Sequence, residues 1–173
     1  MNKINKYILL IFFLFVSCNK DDDINEVEIR DYSEQVVTDE QTIEEYLRSH
    51  YYNYEDFNSA NSFEVDIKIR IDSITDATSN KTPLLDQVKI KTINVSNSEG
   101  LETPHKLYYI IAREGISSNP SVVDSVYINY KGMLTDNYVF DERKYPTWLD
   151  LASSLEGFRQ GVSELKSGEF KQN

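Results

Sequence analysis

The sequence predicts an α+β domain, because strand patterns predominate and short helical patterns stand near both ends of the folded part. The segment "FEVDIKIRID", residues 63–72, alternates apolar and charged residues, which is typical of a half-buried strand. The segment "SSLEGFRQGVSELKSGEF", residues 153–170, repeats apolar residues at helical spacing. A chain of 173 residues can form one domain with a core and an appendage, or two small domains.

The composition argues against several classes of function. Hydrophobic residues make up 40% of the chain, too many for a wholly disordered protein. The net charge of −11 argues against sequence-independent binding of nucleic acid, which needs clustered lysine and arginine. The chain has no Walker loop, dinucleotide fingerprint or paired-cysteine motif, so no cofactor is predicted. His50 and His105 lack ligand-like spacing, so no metal site is predicted.

Residues 1–17 are predicted to be a lipoprotein signal peptide. Two lysines precede the ten-residue apolar run "YILLIFFLFV", which is shorter than the roughly 20 residues that span a bilayer. The run leads into "FVSC", which resembles the lipobox of bacterial lipoproteins, although Phe15 replaces the usual leucine. The resemblance implies that Cys18 carries lipid and anchors the protein to the outer membrane. The alternative is a buried cysteine at the end of a hydrophobic helix.

Residues 18–37 are polar and acidic and are predicted to form a flexible tether. Their segment "NKDDD", residues 19–23, resembles the export tag that directs some Gram-negative lipoproteins to the cell surface. The alternative is a solvated spacer that no receptor recognises, which leaves the protein on the periplasmic face.

Residues 38–100 are predicted to form an N-terminal region of one helix and several strands. Thr38 and Gln41 match a capping box, and apolar residues follow at helical spacing: Ile43, Tyr46, Leu47 and His50. The strand 63–72 comes next, and a weaker one is predicted around Val88 and Ile90. The segment "NSEGLETPHK", residues 97–106, is predicted to be a loop that contains the boundary with the second region, 101–173.

The second region begins with a predicted strand, "KLYYIIAREG", and continues with a hairpin, "YINYKGMLTDNYVFDE". Val126, Ile128 and Tyr130 would lie on one face of the hairpin, and Asp136-Asn137 would form its turn.

The last predicted element is a helix that starts at a capping box of Ser153 and Glu156. Its apolar face would contain Leu155, Phe158, Val162 and Leu165, and Gly168 would follow its end. Gly157 and Gly161 weaken an isolated helix, so close packing against a sheet is expected at both.

A resemblance to the FKBP-type peptidyl-prolyl cis-trans isomerases is carried by two segments that follow one another in the chain, "DSVYINYKGMLTDNYVFDER" and "SLEGFRQGVSELKSGE". In that family "V-x-V-x-Y-x-G-x-L-x-D-G-x-x-F-D" precedes "V-I-x-G-W-x-x-G-L-x-x-M-x-x-G-E". The resemblance covers residues 106–169 and implies a bent antiparallel sheet wrapped around one short helix, with an apolar pocket for the substrate proline. The family continues into further strands, so region 101–173 is expected to be an incomplete domain.

Five residues are implied as site residues by their match to the family's motif. Tyr130, Phe140 and Asp141 match its tyrosine and Phe-Asp pair. Leu155 matches the isoleucine whose backbone N–H binds a ligand carbonyl. Phe158 stands in place of the tryptophan that forms the pocket floor, which reduces its area and removes a donor.

Two further positions differ from the family or match it less clearly. Ser154 replaces a valine at the rim of the pocket. Trp148 is the nearby candidate for an aromatic residue that the family places between the Phe-Asp pair and the helix, but the loop is shorter here.

The predicted function is that of a lipid-anchored prolyl isomerase acting on proline-containing polypeptides exported to the cell envelope. One alternative is a non-catalytic peptide-binding or assembly lipoprotein with the same fold. Another is a structural surface lipoprotein in which residues 38–100 carry the function. Little or no turnover is expected from the 173-residue form, and weak turnover from one extended through the expected strands.

We predict that Cys18 is acylated in the cell. Labelled fatty acid should enter the wild-type protein and should be absent from Cys18→Ser, because the thiol is the attachment point. Equal labelling of the two proteins would contradict the lipoprotein assignment.

Overall fold

The computed structural model describes residues 32–58, 67–98 and 100–168. The predicted signal peptide, Cys18 and most of the tether lie outside them. The elements in chain order are α1 (Tyr32–Ser49), β1 (His50–Tyr52), α2 (Tyr54–Asn58), β2 (Ile71–Ser73), β3 (Lys89–Ser96), β4 (Glu102–Tyr109), β5 (Ser125–Met133), β6 (Val139–Asp150) and α3 (Glu156–Val162). Short 3₁₀ helices span Asp76–Thr78, Leu84–Asp86 and Leu151–Ser153.

The described strands form three two-stranded antiparallel sheets: β1 with β2, β3 with β4, and β5 with β6. This mixture of small sheets and few helices is compatible with the predicted α+β class. The finer prediction, one bent sheet wrapped around a helix, stays a prediction.

Helix α1 confirms the predicted N-terminal helix but includes residues 32–37, which the sequence places in the tether. Thr38 does not cap it, because its hydroxyl donates to the carbonyl of Glu34 one turn earlier, 3.0 Å away. The Tyr32 hydroxyl lies 3.2 Å from Nε2 of His105 on β4. This tertiary contact and a 2.6 Å bond from Gln35 to Asp39 stabilise a first turn whose composition resembles that of a flexible segment.

The strand predicted over residues 63–72 is regular only at its end. Residues 63–66 lie outside the described part of the chain, residues 67–70 form no strand, and β2 begins at Ile71. Asn53 replaces a partner strand here, because its side chain bonds the N–H of Arg70 at 2.8 Å and the carbonyl of Lys68 at 3.1 Å. A side chain therefore satisfies backbone groups that a ladder would otherwise pair.

Strands β3 and β4 form a hairpin across the segment predicted to be a loop. Residues 102–106 pair with β3, for example His105 with Ile93, so the connection is only residues 97–101. The predicted strand 106–115 is correct as far as Tyr109. The predicted regional boundary falls within this turn, and the division into regions stays a prediction.

Strands β5 and β6 confirm the predicted hairpin. Val126, Ile128 and Tyr130 are half-buried and their neighbours along β5 are exposed, as the alternation predicts. Asn137 in the turn has a φ of 70°, the left-handed conformation expected of asparagine there. Strand β6 is longer than predicted and reaches Asp150.

Helix α3 is shorter than predicted. It starts at Glu156, and Ser153 belongs to the preceding 3₁₀ turn, where its hydroxyl donates to Asp150 at 2.8 Å. The Asp150 carboxylate also accepts from the N–H of Ala152 at 3.0 Å, so Asp150 caps the turn that the sequence assigned to Ser153. The helix ends at Val162, six residues before Gly168.

The buried apolar residues of the described chain are few and come from different elements: Leu47, Leu84, Ile93 and Leu151. Helix α3 contacts β3 and β4, and Lys91 on β3 forms an ion pair with Glu164 at 2.6 Å just after the helix. None of the helices in the described part of the chain is both long and apolar enough to cross a membrane.

Gly115 lies in a tight contact, whereas the two glycines of α3 have open space around them. A Cβ on Gly115 would overlap the carbonyl oxygen of Lys166 and lie 2.6 Å from that of Ser167. A Cβ on Gly157 or Gly161 would meet nothing within 4 Å, so the expected close packing of these two against a sheet is wrong.

We predict that Gly115→Ala and Gly161→Ala change stability in opposite directions. Gly115→Ala should lower the free energy of unfolding by about 1–3 kcal/mol, the usual cost of overpacking. Gly161→Ala should raise it by up to about 1 kcal/mol, because alanine favours the helix. Urea unfolding of the wild type and both variants measures the changes. A neutral Gly115→Ala would show that the Lys166–Ser167 backbone does not lie against Gly115.

Candidate functional site

The centre of the candidate site is a hydrogen bond across the β5–β6 hairpin. The Tyr130 hydroxyl donates to Oδ2 of Asp141, and the oxygens are 2.6 Å apart. Tyr130 lies directly opposite Arg143, and Asp141 lies opposite Gly132, so the bond is a diagonal contact on one face of the ladder. Two of the five predicted site residues are thereby joined.

A bulge in β6 brings Phe140 to the same face. Gly132 pairs with Asp141 and the next residue, Met133, pairs with Val139, which leaves Phe140 as an extra residue. In a regular strand Phe140 and Asp141 would point to opposite faces. The bulge allows consecutive residues to share a face.

Gly132 makes room for the Phe140 ring. A Cβ on Gly132 would lie 2.6 Å from Cζ of Phe140, well inside van der Waals contact. Any larger residue would displace this ring, although Phe140 as a whole is 54% exposed. Sequence reasoning assigned no role to Gly132, although a glycine inside an alternating strand pattern is a recognised sign of a bulge or a close approach.

Helix α3 brings Phe158 to this face of the hairpin. The rings of Tyr130 and Phe158 meet edge to face, with centroids 5.5 Å apart. Leu155 is the residue that precedes the helix, and it is 75% exposed. Phe158 therefore joins Tyr130 directly, whereas the predicted role of the Leu155 N–H stays a prediction.

Trp148 does not join this group. It pairs with Tyr127, and their ring centroids are 5.3 Å apart. Tyr127 lies on the face of β5 opposite to Tyr130, so Trp148 faces away from the site. Ser154 is engaged locally, because its hydroxyl donates to the carbonyl of Asp150 at 3.0 Å.

The Tyr130–Asp141 hydrogen bond also changes the acidity of the phenol. The bond, assisted by desolvation and by the nearby negative charge, raises the pKa of Tyr130 above its ordinary value of 10.0. Arg143 opposes this in part, because a cation favours the phenolate. At neutral pH Tyr130 is a neutral donor held by a carboxylate, an arrangement that presents polar and aromatic surface together.

An apolar cavity of about 240 Å³ lies elsewhere, between α1, β1, β2 and β4. Its lining includes Leu47, Tyr52, Ile71, Leu84 and Tyr108. Across the described residues, no cluster of three or more histidine, cysteine, aspartate or glutamate side chains could hold a metal ion.

Comparison with known proteins gives two partial matches to peptidyl-prolyl cis-trans isomerases. The chain is 34% identical over 71 residues to "Peptidyl-prolyl cis-trans isomerase Mip" of Chlamydia trachomatis, which is 39% of this chain and 29% of that protein. It is 30% identical over 76 residues to the protein of the same name from Coxiella burnetii, which is 42% of this chain and 33% of that protein.

The matched segments thus span about a third of the length of these curated relatives. No family model matches the chain, and no solved structure matches it. The similarities support a relationship to peptidyl-prolyl isomerases.

We predict that Asp141→Asn lowers the pKa of Tyr130 toward 10, because the amide is a weaker acceptor and carries no charge. The raised pKa means that the hydrogen bond stabilises the fold at pH values below the ordinary tyrosine pKa. That contribution is lost as the pH rises through the raised value. NMR titration of ring-labelled tyrosine in the wild type and the variant measures both values. An unchanged Tyr130 pKa in the variant would contradict the bond.

Proposed function

We propose that the protein is a peptidyl-prolyl cis-trans isomerase whose FKBP-like site lies on the β5–β6 hairpin and the start of α3. The observation that carries this proposal is the joint placement of Tyr130, Asp141 and Phe158, a 2.6 Å hydrogen bond beside an edge-to-face ring pair. The partial similarity to two prolyl isomerases supports the same reaction.

The reaction needs no nucleophile or metal. Rotation about a peptide bond has a barrier of about 18–20 kcal/mol, because resonance must be broken. Twisting localises the lone pair on nitrogen and makes the amide less polar. An apolar, water-excluding surface therefore favours the twisted amide over the planar one, which lowers the barrier.

Each site residue has a role in this mechanism. The rings of Tyr130, Phe140 and Phe158 form the apolar surface against the proline. The Leu155 N–H orients a substrate carbonyl. Asp141 holds the Tyr130 hydroxyl in place and acts through hydrogen bonding rather than proton transfer.

The anchor completes the proposed function. Lipid on Cys18 would hold the protein at the outer membrane, on its surface or periplasmic face, where exported polypeptides fold. The acidic segment that follows would keep the site away from the bilayer. The proposed substrates are proline-containing polypeptides of the envelope.

A second candidate function is peptide binding without catalysis. Phe140 is 54% exposed and Leu155 is 75% exposed, so the surface is open to water. Catalysis by desolvation weakens when water reaches the amide, whereas binding of a peptide needs only contact area and hydrogen bonds. The substitution of phenylalanine for the family's tryptophan favours the same alternative.

We predict weak acceleration of X-Pro isomerisation by the protein at the full length that its gene encodes. Asp141→Asn should lower kcat/KM about three- to tenfold, since a hydrogen bond that fixes the site is weakened. Phe158→Trp should raise it about two- to tenfold, because a larger ring enlarges the apolar floor. Rates come from peptide exchange followed by NMR.

Glu142→Gln is the matched control for Asp141→Asn, because it removes the same charge from the next residue, which pairs with Lys131 on the opposite face. It should leave the rate unchanged. Peptide binding without acceleration would favour the second candidate function. A folded protein that neither binds nor isomerises proline peptides would overturn both.

A further inference from the structure

Arg143 is a cation on the same face of the hairpin as the site. It lies directly opposite Tyr130 in the ladder and two residues beyond Asp141 along β6. Directly opposed side chains in an antiparallel pair lie on one face, about 5 Å apart at Cβ. Arg143 therefore lies beside the Tyr130–Asp141 pair, and its charge reaches the phenol, where it opposes the rise in the pKa of Tyr130.

The hydrogen-bond donors of the Arg143 guanidinium have no acceptor in the described part of the chain. Arg143 is exposed, and it forms no hydrogen bond or ion pair with any residue in the described ranges. The neighbouring charges are paired differently, since Lys144 lies 4.0 Å from Glu142 and these two residues flank Arg143 on the other face. Asp141, the anion on the same face, already accepts the Tyr130 hydroxyl.

We infer that Arg143 gives the site a preference for proline peptides with an acidic residue next to the proline. This inference rests on the proposed function. A guanidinium presents several donors in a rigid fork that matches a carboxylate, so a peptide with glutamate beside its proline would gain an ion pair. The preference matters in this molecule because the net charge of −11 otherwise repels acidic segments.

The test uses the full chain and peptides that differ only in the residue before or after proline, which is glutamate, glutamine or lysine. Affinity is measured by fluorescence anisotropy and exchange by NMR. The wild type should prefer glutamate over lysine by about two- to fivefold, the range for a solvated ion pair. The preference should shrink in about 1 M salt, where screening shortens the reach of charges to about 3 Å.

Arg143→Glu should reverse the preference, so that lysine peptides bind better than glutamate peptides. Lys144→Glu is the matched control, because it changes the net charge equally at the adjacent, 76% exposed side chain on the opposite face. It should keep the glutamate preference. Circular dichroism checks that both variants are folded.

The outcomes separate this inference from the proposed function. One outcome is that the wild type and Arg143→Glu both isomerise proline peptides with the same ratio of glutamate-peptide to lysine-peptide affinity. That result overturns the role of Arg143 and leaves the proposed function standing. Equal losses of affinity for all peptides in Arg143→Glu also overturn the selective role of Arg143, because they indicate that the guanidinium contacts the peptide backbone. Absence of isomerisation overturns the function, and the anisotropy ratios still decide whether Arg143 selects acidic peptides.

Discussion

The bulge at Phe140 determines which residues of β6 share a face with Tyr130. Because β6 has one extra residue there, Phe140 and Asp141 share a face that period-two alternation would otherwise divide between them. The bulge is possible because Gly132 has no side chain in the space that the Phe140 ring occupies. The Tyr130–Asp141 hydrogen bond depends on this register, as does the position of Arg143 opposite Tyr130.

The site lies on the surface of a hairpin rather than in the core. Among the residues that the structure describes, the buried apolar ones are Leu47, Leu84, Ile93 and Leu151, and of these only Leu151 adjoins the hairpin. Leu151 follows β6 directly and donates its N–H to the carbonyl of Asp124 at 3.0 Å, which fixes the two ends of the hairpin together. The aromatic face can thus stay exposed to solvent while the base of the hairpin is held.

Local patterns predicted the hairpin well and the helix ends poorly. The alternation of Val126, Ile128 and Tyr130 and the turn at Asn137 depend on neighbouring residues, so the sequence is sufficient for both. The capping boxes predicted at Thr38 and Ser153 were wrong. The contact between Tyr32 and His105 favours an earlier start for α1, and the Asp150 carboxylate caps the turn before α3. The same limit applies to residues 67–70, whose hydrogen bonds come from distant Asn53.

The sequence by itself predicted the α+β class. It also predicted which residues of β5 share its half-buried face, because side-chain alternation is a property of a single strand. Through the family resemblance it also nominated Tyr130, Phe140, Asp141 and Phe158 as site residues, which stays a prediction. Only the tertiary structure decided that Gly132 seats the Phe140 ring, that Trp148 faces away, and that Arg143 lies opposite Tyr130. Those facts depend on the register between β5 and β6, which is set by the hydrogen bonds of the ladder and by two irregularities in β6, one at Phe140 and one between Arg143 and Thr147.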